Sequence, residues 1–411
     1  MTPIYNGFVY FVWFLATFYS IFFFLTLIVF KDKVFENKKQ TSNNNPLISM
    51  IVPAYNEEEK IAETISSLKK LKYKNIEVII LSDGSIDKTS EVVMSNIADD
   101  SRFTFIDNKI NKGKASVLNQ GIDIAKGEFV VCMDADSSVE QDIIEKVLPY
   151  FEDDKVGAVT VSVVVKNPKS FLHKIIALEF VLGLSLFLKV FSFLDCVFVT
   201  PGPFSIFRMS ALKDLKGFDT KNITEDLEIA YRLHKKGYKI KNCIEANVYT
   251  VLPDTFSKIR VQRKRWYSGA IYTVFQHRDA LFNKKYGLFS FFTALNFTLI
   301  FLGLSLFLTS IWLTLSRFFQ NLSYYQYTNY NFFDYWNFNF NILHYGRIDI
   351  LGISMFIWTI FLMTLGLILA RQKFGDNKQG LIGYPFMFLL YQLFWFESIL
   401  AVINKKKIKW R

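Results

Sequence analysis

Two carboxylates separated by one residue, Asp134 and Asp136, directly follow the short apolar run Phe129–Met133. The β-branched start of that run predicts a buried strand. In an open α/β sheet, ligands bind beyond the carboxyl ends of the strands, so both carboxylates are expected at a substrate site. Their hard oxygens suit Mg²⁺ or Mn²⁺, which take one or two ligands from the protein while phosphates supply others. The pattern indicates a metal held on a diphosphate; ordinary turn aspartates are the alternative interpretation.

Short apolar runs alternate with segments of helical spacing from Leu47 to about Lys166. This alternation predicts a mostly parallel sheet covered by helices. The predicted strands are Ile48–Val52, Glu77–Leu81, Phe103–Ile106 and Phe129–Met133. Their ends are expected to deliver four polar segments to one rim: Ala54–Glu57, Ser82–Ser85, Asn111–Lys114 and Asp134–Asp136. A dinucleotide site or a P-loop is not supported, because the sequence contains neither a GxGxxG motif nor a Walker lysine.

A second pair of acids, Glu225 and Asp226, opens a segment of helical spacing that ends at Gly237. Thr224 is expected to cap this helix, with both acids in its first turn. Acids at a helix start ordinarily offset the helix dipole, so a structural role stands beside a catalytic one.

The stretch from Asp254 to His277 is predicted to be a helix. Gln262, Arg265 and Trp266 are spaced i, i+3 and i+4, so an amide, a guanidinium and an indole share one face. Arginine offers paired donors to a diphosphate, and tryptophan offers a flat surface on which a sugar ring stacks. The alternative is a basic amphipathic helix that lies on lipid headgroups.

Apolar residues are bunched into long runs, which is typical of a membrane protein with a soluble insert. Phenylalanine alone accounts for 44 of 411 residues, and the mean hydropathy is +0.21. The run Phe8–Phe30 is long enough to cross a bilayer. Lysines follow this run and none precedes it, so the positive-inside rule places the next domain in the cytoplasm; they are Lys31, Lys33, Lys38 and Lys39. Residues 1–40 are therefore predicted to be a membrane anchor, and residues 41–286 a cytosolic domain.

Three more apolar runs predict a C-terminal membrane region over residues 287–411, with helices at about 288–315, 350–370 and 381–403. If all three cross the membrane, the tail Lys405–Lys407 lies outside, against the positive-inside rule. If the last run is re-entrant or interfacial, the tail stays inside. The sequence leaves both topologies open.

Phe171–Leu194 is also long and apolar. A membrane crossing there would place Asp136 and Asp226 on opposite sides, which one active site does not allow. This segment is therefore expected to lie in the membrane interface or to pack on the sheet.

The net charge of +11 and the pI of about 9.2 fit a protein that lies on anionic lipid and attracts a phosphorylated substrate. Nucleic acid is not an expected partner, because the basic residues flank apolar runs and no zinc-finger or RNA-recognition signature occurs. The cysteines Cys132, Cys196 and Cys243 lack the spacing of metal ligands and are interpreted as reduced structural residues.

Taken together, these motifs resemble those of the membrane-embedded glycosyltransferase family 2 enzymes, the cellulose, chitin, hyaluronan and bacterial poly-N-acetylglucosamine synthases. The resemblance covers the soluble block from Ile51 to Trp266, and the layout is most similar to that of the poly-N-acetylglucosamine synthases. Its motifs are Ser-Asp-Gly-Ser at 82–85, Asp-Ala-Asp at 134–136, Thr-Glu-Asp at 224–226 and Gln-x-x-Arg-Trp at 262–266. The resemblance implies an α/β fold of GT-A type, a nucleotide-sugar-binding domain with a mostly parallel sheet, plus α-helical transmembrane segments and interfacial helices.

Carried over by position, the resemblance implies that Tyr55 and Glu57 line the nucleotide pocket and that Asp83 binds the uridine. Lys114 would reach the nucleotide diphosphate. Ser82 replaces the first aspartate of the commoner Asp-Asp-Gly-Ser motif, a difference that bears on nucleotide contacts and leaves the chemistry intact.

The resemblance also implies that Asp136 is the main ligand of Mg²⁺ or Mn²⁺, with Asp134 in support. Asp226 would be the general base, with Glu225 as its neighbour. The diphosphate and the acceptor end of the glycan would be bound by Gln262, Arg265 and Trp266.

The expected activity is processive, inverting transfer of sugars from a UDP-sugar, with UDP-N-acetylglucosamine favoured, to a growing glycan at the cell membrane. Membrane lipid is an expected partner, and the layout allows a small membrane accessory subunit. Cellulose synthesis is disfavoured, because the sequence has no Phe-x-Val-Thr-x-Lys motif. Transfer of one sugar to a lipid, as in ceramide or diacylglycerol glucosyltransferases, and a catalytically inert membrane subunit are the alternatives.

Overall fold

The computed structural model describes residues 3–36, 38, 45–253, 255–320, 322, 327, 347–369 and 374–404. Across these residues the centre of the fold is an eight-stranded sheet in the order β3-β2-β1-β4-β7-β6-β8-β5. The strands are β1 Ile48–Ala54, β2 Ile76–Asp83, β3 Phe103–Asn108, β4 Phe129–Cys132, β5 Ser138–Val139, β6 Val156–Val165, β7 Ser205–Arg208 and β8 Lys239–Thr250. The helices are α1 Pro3–Val29, α2 Lys31–Val34, α3 Ile61–Lys69, α4 Thr89–Ile97, α5 Lys114–Ile124, α6 Ile143–Val147, α7 Phe171–Phe180, α8 Leu188–Phe193, α9 Met209–Leu215, α10 Glu225–Lys235, α11 Phe256–Gln276, α12 Gly287–Gln320, α13 Arg347–Leu369 and α14 Phe374–Ile403.

The first half of the sheet is the predicted parallel unit. β1 pairs in parallel with β2 and β4, and β2 pairs in parallel with β3. Apolar side chains such as Ile51, Val78 and Val131 are fully or almost fully buried, as expected where helices cover both faces of a parallel sheet. Because these strands run in one direction, their carboxyl ends open on one edge, as predicted.

The second half of the sheet contains strands that the sequence patterns did not indicate. β7 pairs antiparallel with β4 and with β6, and β6 in turn pairs in parallel with β8 across a bulge near Val161. The sheet is therefore mixed, with a parallel half that carries the predicted rim. The antiparallel pairings of β7 join segments that lie far apart in the sequence, and a local residue pattern does not predict such pairings.

Helix α10 begins and ends at the predicted positions, but its cap differs from the prediction. Gly237 follows it with a φ of +85°, the left-handed conformation that glycine adopts at helix ends. Thr224 occupies the N-cap position, yet its side chain makes no capping hydrogen bond. Its hydroxyl instead contacts the Asn222 side chain at 3.1 Å.

The segment Phe171–Phe193 forms α7, a π-helical turn at Val181–Phe187 and α8. It is long and apolar enough to cross a membrane, but 67% of its most apolar window is buried inside the protein, against 17% for α1. Ile175, Ile176 and Phe180 join the same core as the strands. This burial supports packing on the sheet, one of the two placements predicted for this segment.

Four helical segments in the described part of the chain have the length and composition of membrane spans: Pro3–Val29, Phe171–Phe193, Lys284–Gln320 and Lys378–Ile403. Gly352–Ile368 is a shorter apolar helix. α14 continues through Pro385. The Lys405–Lys407 tail lies outside the described residues, and the division into residues 1–40, 41–286 and 287–411 stays a prediction.

Candidate active site

A cleft of about 1530 Å³ opens along the carboxyl ends of the parallel strands. It brings together all the side chains that the sequence motifs selected: Tyr55, Glu57, Asp83, Lys114, Asp134, Asp136, Glu225, Asp226, Gln262, Arg265 and Trp266. Residues at or after the ends of four strands and residues of two helices far apart in the sequence thus line the same cleft. Their common location is a finding, whereas their individual roles stay predictions.

Asp83 links two of the loops at the rim. Its side chain is 4% exposed, and its two carboxylate oxygens accept hydrogen bonds from the backbone amides of Lys112 at 2.7 Å and Gly113 at 3.0 Å. A Cβ atom on Gly84 would lie 2.7 Å from the amide nitrogen of Asn111, so only glycine fits there. Asp83 therefore fixes the shape of the pocket. Its predicted contact with uridine would lie in the same pocket.

The carboxylates Asp134 and Asp136 lie at the end of β4 with different partners. Asp134 Oδ1 is 2.6 Å from the Lys114 ammonium, whereas Asp136 Oδ2 is 3.8 Å from Lys60 Nζ. In the described part of the chain no three acidic, histidine or cysteine side chains meet in a group that could hold a metal. Two hard carboxylates beside an open cleft fit an ion that takes one or two protein ligands and the rest from phosphates and water.

Lys114 links Asp134, after the end of β4, to Glu225 at the start of α10. Its Nζ lies 2.6 Å from Asp134 and 3.0 Å from Glu225 Oε1. Burial alone would lower the pKa of Lys114, but the carboxylates of Asp134 and Glu225 together raise it above its usual value. The ammonium therefore stays charged and holds both acids in the cleft wall.

The backbone of Asp226 is fixed by hydrogen bonds, and the pKa of its side chain is shifted. The amide and hydroxyl of Thr200 both donate to its carbonyl oxygen, at 3.0 and 2.8 Å. Burial and the neighbouring Glu225 carboxylate raise the pKa of the Asp226 carboxyl to about 7, although Lys114 and Arg265 oppose the shift. A carboxyl that titrates near neutral pH is suited to act as a general base.

The turn Pro201–Gly202–Pro203 lies between the two acidic motifs. The amide of Asp134 donates to the Gly202 carbonyl oxygen at 3.1 Å, and a Cβ atom on Gly202 would lie 2.8 Å from Lys114 Nζ. Thr200, one residue earlier, holds Asp226. The turn and the residue before it therefore join the two acidic segments of the cleft wall.

Helix α11 approaches the start of α10 closely at Gly269, a residue that the sequence patterns did not single out. A Cβ atom there would lie 2.3 Å from Thr224 Cγ2. Asn222 adds a second link, since its side-chain amide donates to Thr273 Oγ1 at 2.9 Å. These contacts fix the position of Gln262, Arg265 and Trp266 relative to the α10 acids.

Residues 49–216 match the protein family described as glycosyl transferase family 2. The chain is 37% identical over 236 residues to the poly-beta-1,6-N-acetyl-D-glucosamine synthase of Staphylococcus aureus strain COL, an alignment that covers 57% of each protein. It is 35% identical over 223 residues to the protein of the same name from Staphylococcus epidermidis, with 54% of each covered. The alignments thus span somewhat more than half the length of these relatives.

Among solved structures, the fold is similar to that of a mannosyltransferase from Pyrobaculum calidifontis, which was determined in complex with GDP-Man and Mn²⁺. The TM-score is 0.59 at 16% sequence identity, and the match covers 96% of this chain and 100% of the other. At this identity the likeness concerns the fold, which is of GT-A type. Residues 49–216 thus match glycosyl transferase family 2, and the chain also contains helices apolar enough to cross a membrane.

Proposed function

We propose that the protein is an inverting, metal-dependent, processive β-glycosyltransferase that polymerises sugar from a UDP-sugar, with UDP-N-acetylglucosamine favoured, and moves the glycan across the membrane. The main support for this proposal is the extent of the cleft. From Asp83 it passes Asp226 and Trp266 and continues to Thr293, Asn296 and Ile300 of α12 and Trp395 of α14. A donor pocket that continues between apolar helices suits a growing glycan that enters the membrane as it lengthens.

In the proposed mechanism, Asp226 removes the proton of the acceptor hydroxyl as the hydroxyl oxygen bonds to the anomeric carbon of the donor. The bond from that carbon to the diphosphate oxygen breaks, and UDP leaves with the electron pair. With one base and no covalent nucleophile the step is a single displacement, which converts an α-linked donor into a β-linkage. Arg265 and Lys114 supply positive charge for the diphosphate, and Trp266 offers a surface for the acceptor sugar.

A divalent cation, Mg²⁺ or Mn²⁺, held by Asp136 with Asp134 in support, would offset the negative charge that develops on the leaving diphosphate. The remaining protein contributions are positional. Lys114 keeps Asp134 and Glu225 in the wall, and Tyr55, Glu57 and Asp83 line the nucleotide side.

The similarity to proteins named poly-beta-1,6-N-acetyl-D-glucosamine synthases supports N-acetylglucosamine as the sugar and a polymer as the product. The lysines after α1, with Lys31, Lys33 and Lys38 in the described part of the chain, support a cytoplasmic catalytic domain in a multi-pass protein of the cell membrane. The growing glycan and membrane lipid are the proposed partners, and a small membrane accessory subunit is compatible with this layout.

The second candidate is a non-processive enzyme that transfers one sugar to a lipid. The inner end of the cleft favours it, because Phe297, Ile300 and Trp395 form an apolar wall there that would suit an acyl chain. The two candidates share the donor chemistry and differ in the acceptor.

UDP release from a panel of UDP-sugars, measured with the full chain in nanodiscs with Mg²⁺ or Mn²⁺, tests the shared chemistry. UDP-N-acetylglucosamine is expected to be turned over fastest, and the new linkage is expected to be cleaved by a β-specific glycosidase. An α-linked product would contradict the single displacement, and no UDP release from any donor would contradict the proposed activity.

The pH dependence of transfer is expected to follow the Asp226 carboxyl. The base works in its ionised form, so kcat/KM should fall as the pH decreases through about 7, by about tenfold per pH unit below it. Glu225→Gln removes a like charge and should move this inflection to lower pH. A profile measured from about pH 5 to about pH 9 that is flat on its acid side, or an inflection that rises in the variant, would contradict this assignment.

Gly269→Ala is expected to reduce transfer by about tenfold or more, because the added methyl group would overlap Thr224 and displace α11 from the α10 acids. Gly303→Ala is the matched control, since a Cβ atom at that α12 position meets nothing within 4 Å. Turnover and the thermal midpoint of both variants are compared with those of the unaltered chain. Equal turnover in the two variants would show that the close approach at Gly269 is not needed.

A further inference from the structure

A buried ion pair joins α11 to α7, and neither of its residues lines the cleft. Arg263 lies between Gln262 and Arg265 in the sequence, but it is only 2% exposed and its Nη2 donates to Glu179 Oε2 at 2.7 Å. The hydroxyl of Tyr391 donates to the same carboxylate oxygen at 2.5 Å. We call these three residues the Glu179 cluster; it joins α7, α11 and α14.

Stability is a weak explanation for this cluster. Removing two charges from water costs several kcal/mol per ion, and well-packed apolar residues often replace a buried ion pair without loss of stability. The neighbouring surfaces of α7 and α14 are apolar, and Ile175, Phe180 and Phe394 are almost fully buried there. Apolar side chains would therefore be the simpler means of joining these helices.

The guanidinium of Arg263 also contacts two aromatic rings. Its central carbon lies 4.5 Å from the centre of the Trp266 ring and 5.1 Å from that of Tyr391, both within the range of a cation–π interaction. Trp266 lines the cleft. The guanidinium thus braces the indole from the core side, while Glu179 and Tyr391 fix the guanidinium.

We propose that the Glu179 cluster orients Trp266 for the acceptor sugar. Through Tyr391, helix α14 contributes to this orientation. The inference rests on the proposed function, in which Trp266 contacts the acceptor. Glu179, Arg263 and Tyr391 act through Trp266, so their loss affects acceptor use and glycan length and leaves donor binding intact.

A second ion pair of α11, made with α14, provides the matched control. Arg260 of α11 donates to Glu397 of α14 with an Nε to Oε2 distance of 2.9 Å, but the two side chains are 54% and 30% exposed. Exposed pairs of this kind contribute little to stability. The variant Arg260→Ala with Glu397→Ala therefore removes an α11 to α14 contact and leaves Trp266 braced.

The test uses the full chain in nanodiscs and separates stability from positioning by means of a double variant. Glu179→Leu alone leaves Arg263 buried without its partner and should lower the thermal midpoint. Glu179→Leu combined with Arg263→Leu removes both charges and should recover that midpoint. If the cluster positions Trp266, the double variant should keep a KM for the UDP-sugar within about twofold of the unaltered chain, yet lose about tenfold in kcat for UDP release and make shorter products.

Glu179→Gln keeps an oxygen that accepts from Arg263 and should recover part of the lost turnover, whereas the Arg260 and Glu397 control should behave as the unaltered chain. Unaltered kcat and product length in the double variant, or a raised donor KM at unaltered kcat, would overturn the inference alone. If the unaltered chain releases no UDP, both the proposed function and this inference are overturned.

Discussion

Asp226→Asn is expected to lower sugar transfer by about 10²–10⁴-fold, the usual contribution of a general base, while UDP still binds. The asparagine amide retains the size of the carboxyl but cannot take the acceptor proton. Transfer is measured as incorporation of radiolabelled sugar, and UDP affinity by calorimetry with the same preparation.

Asp214→Asn is the control for the loss of one carboxylate. Asp214 is 42% exposed, pairs with Lys236 on the surface and does not line the cleft, so its variant should transfer sugar normally. Near-normal turnover by Asp226→Asn would show that another group is the base, and loss of UDP binding would show that Asp226 shapes the donor pocket instead.

Asp136→Asn is expected to have the second largest effect, a loss of about 10²-fold in turnover with a higher requirement for Mg²⁺ or Mn²⁺. Asp134→Asn should also impair transfer, because it removes the supporting carboxylate and the partner of Lys114. Turnover is measured against metal concentration after treatment with a chelator, which should abolish activity in the unaltered chain.

Asp142→Asn is the control for this series, since Asp142 is 39% exposed and pairs with Lys146 beyond the cleft. An unaltered metal requirement in Asp136→Asn, or full activity of the unaltered chain in chelator, would contradict the metal assignment.

The parallel half of the fold and the contents of the cleft were predictable from the sequence for a local reason. Each site motif directly follows a buried strand or occupies one helical face, so strand direction and helical spacing place Asp83, Asp136 and Trp266 without knowledge of the whole fold. Three of the four predicted strands run two residues further than predicted, as at β1, which ends at Ala54 rather than Val52. β4 instead ends one residue earlier, at Cys132 rather than Met133.

Other features depend on long-range contacts that leave no periodic signal. Gly269 and Asn222 are ordinary residues until α11 meets the start of α10, and Arg263 gives no sign of its partner Glu179, which lies 84 positions away. The same reason explains the cap of α10: Thr224 has the residue type of an N-cap, but contact with Asn222 and α11 takes its hydroxyl elsewhere.

The sequence and the structure give Lys114 different partners. The resemblance assigns it to the nucleotide diphosphate, whereas the structure pairs it with Asp134 and Glu225. Both fit a cation that holds the acids in place before the donor arrives. Its diphosphate contact remains a prediction.

The size of the product tests the central claim most directly. The full chain in detergent or nanodiscs is supplied with Mg²⁺ or Mn²⁺ and with each radiolabelled UDP-sugar in turn, and the products are separated by gel electrophoresis and by extraction into organic solvent. A high-mass product from one donor, expected to be UDP-N-acetylglucosamine, that a matching glycosidase degrades is the predicted result. A single-sugar product that extracts into organic solvent would contradict polymer synthesis and make Trp266 a contact for a lipid acceptor.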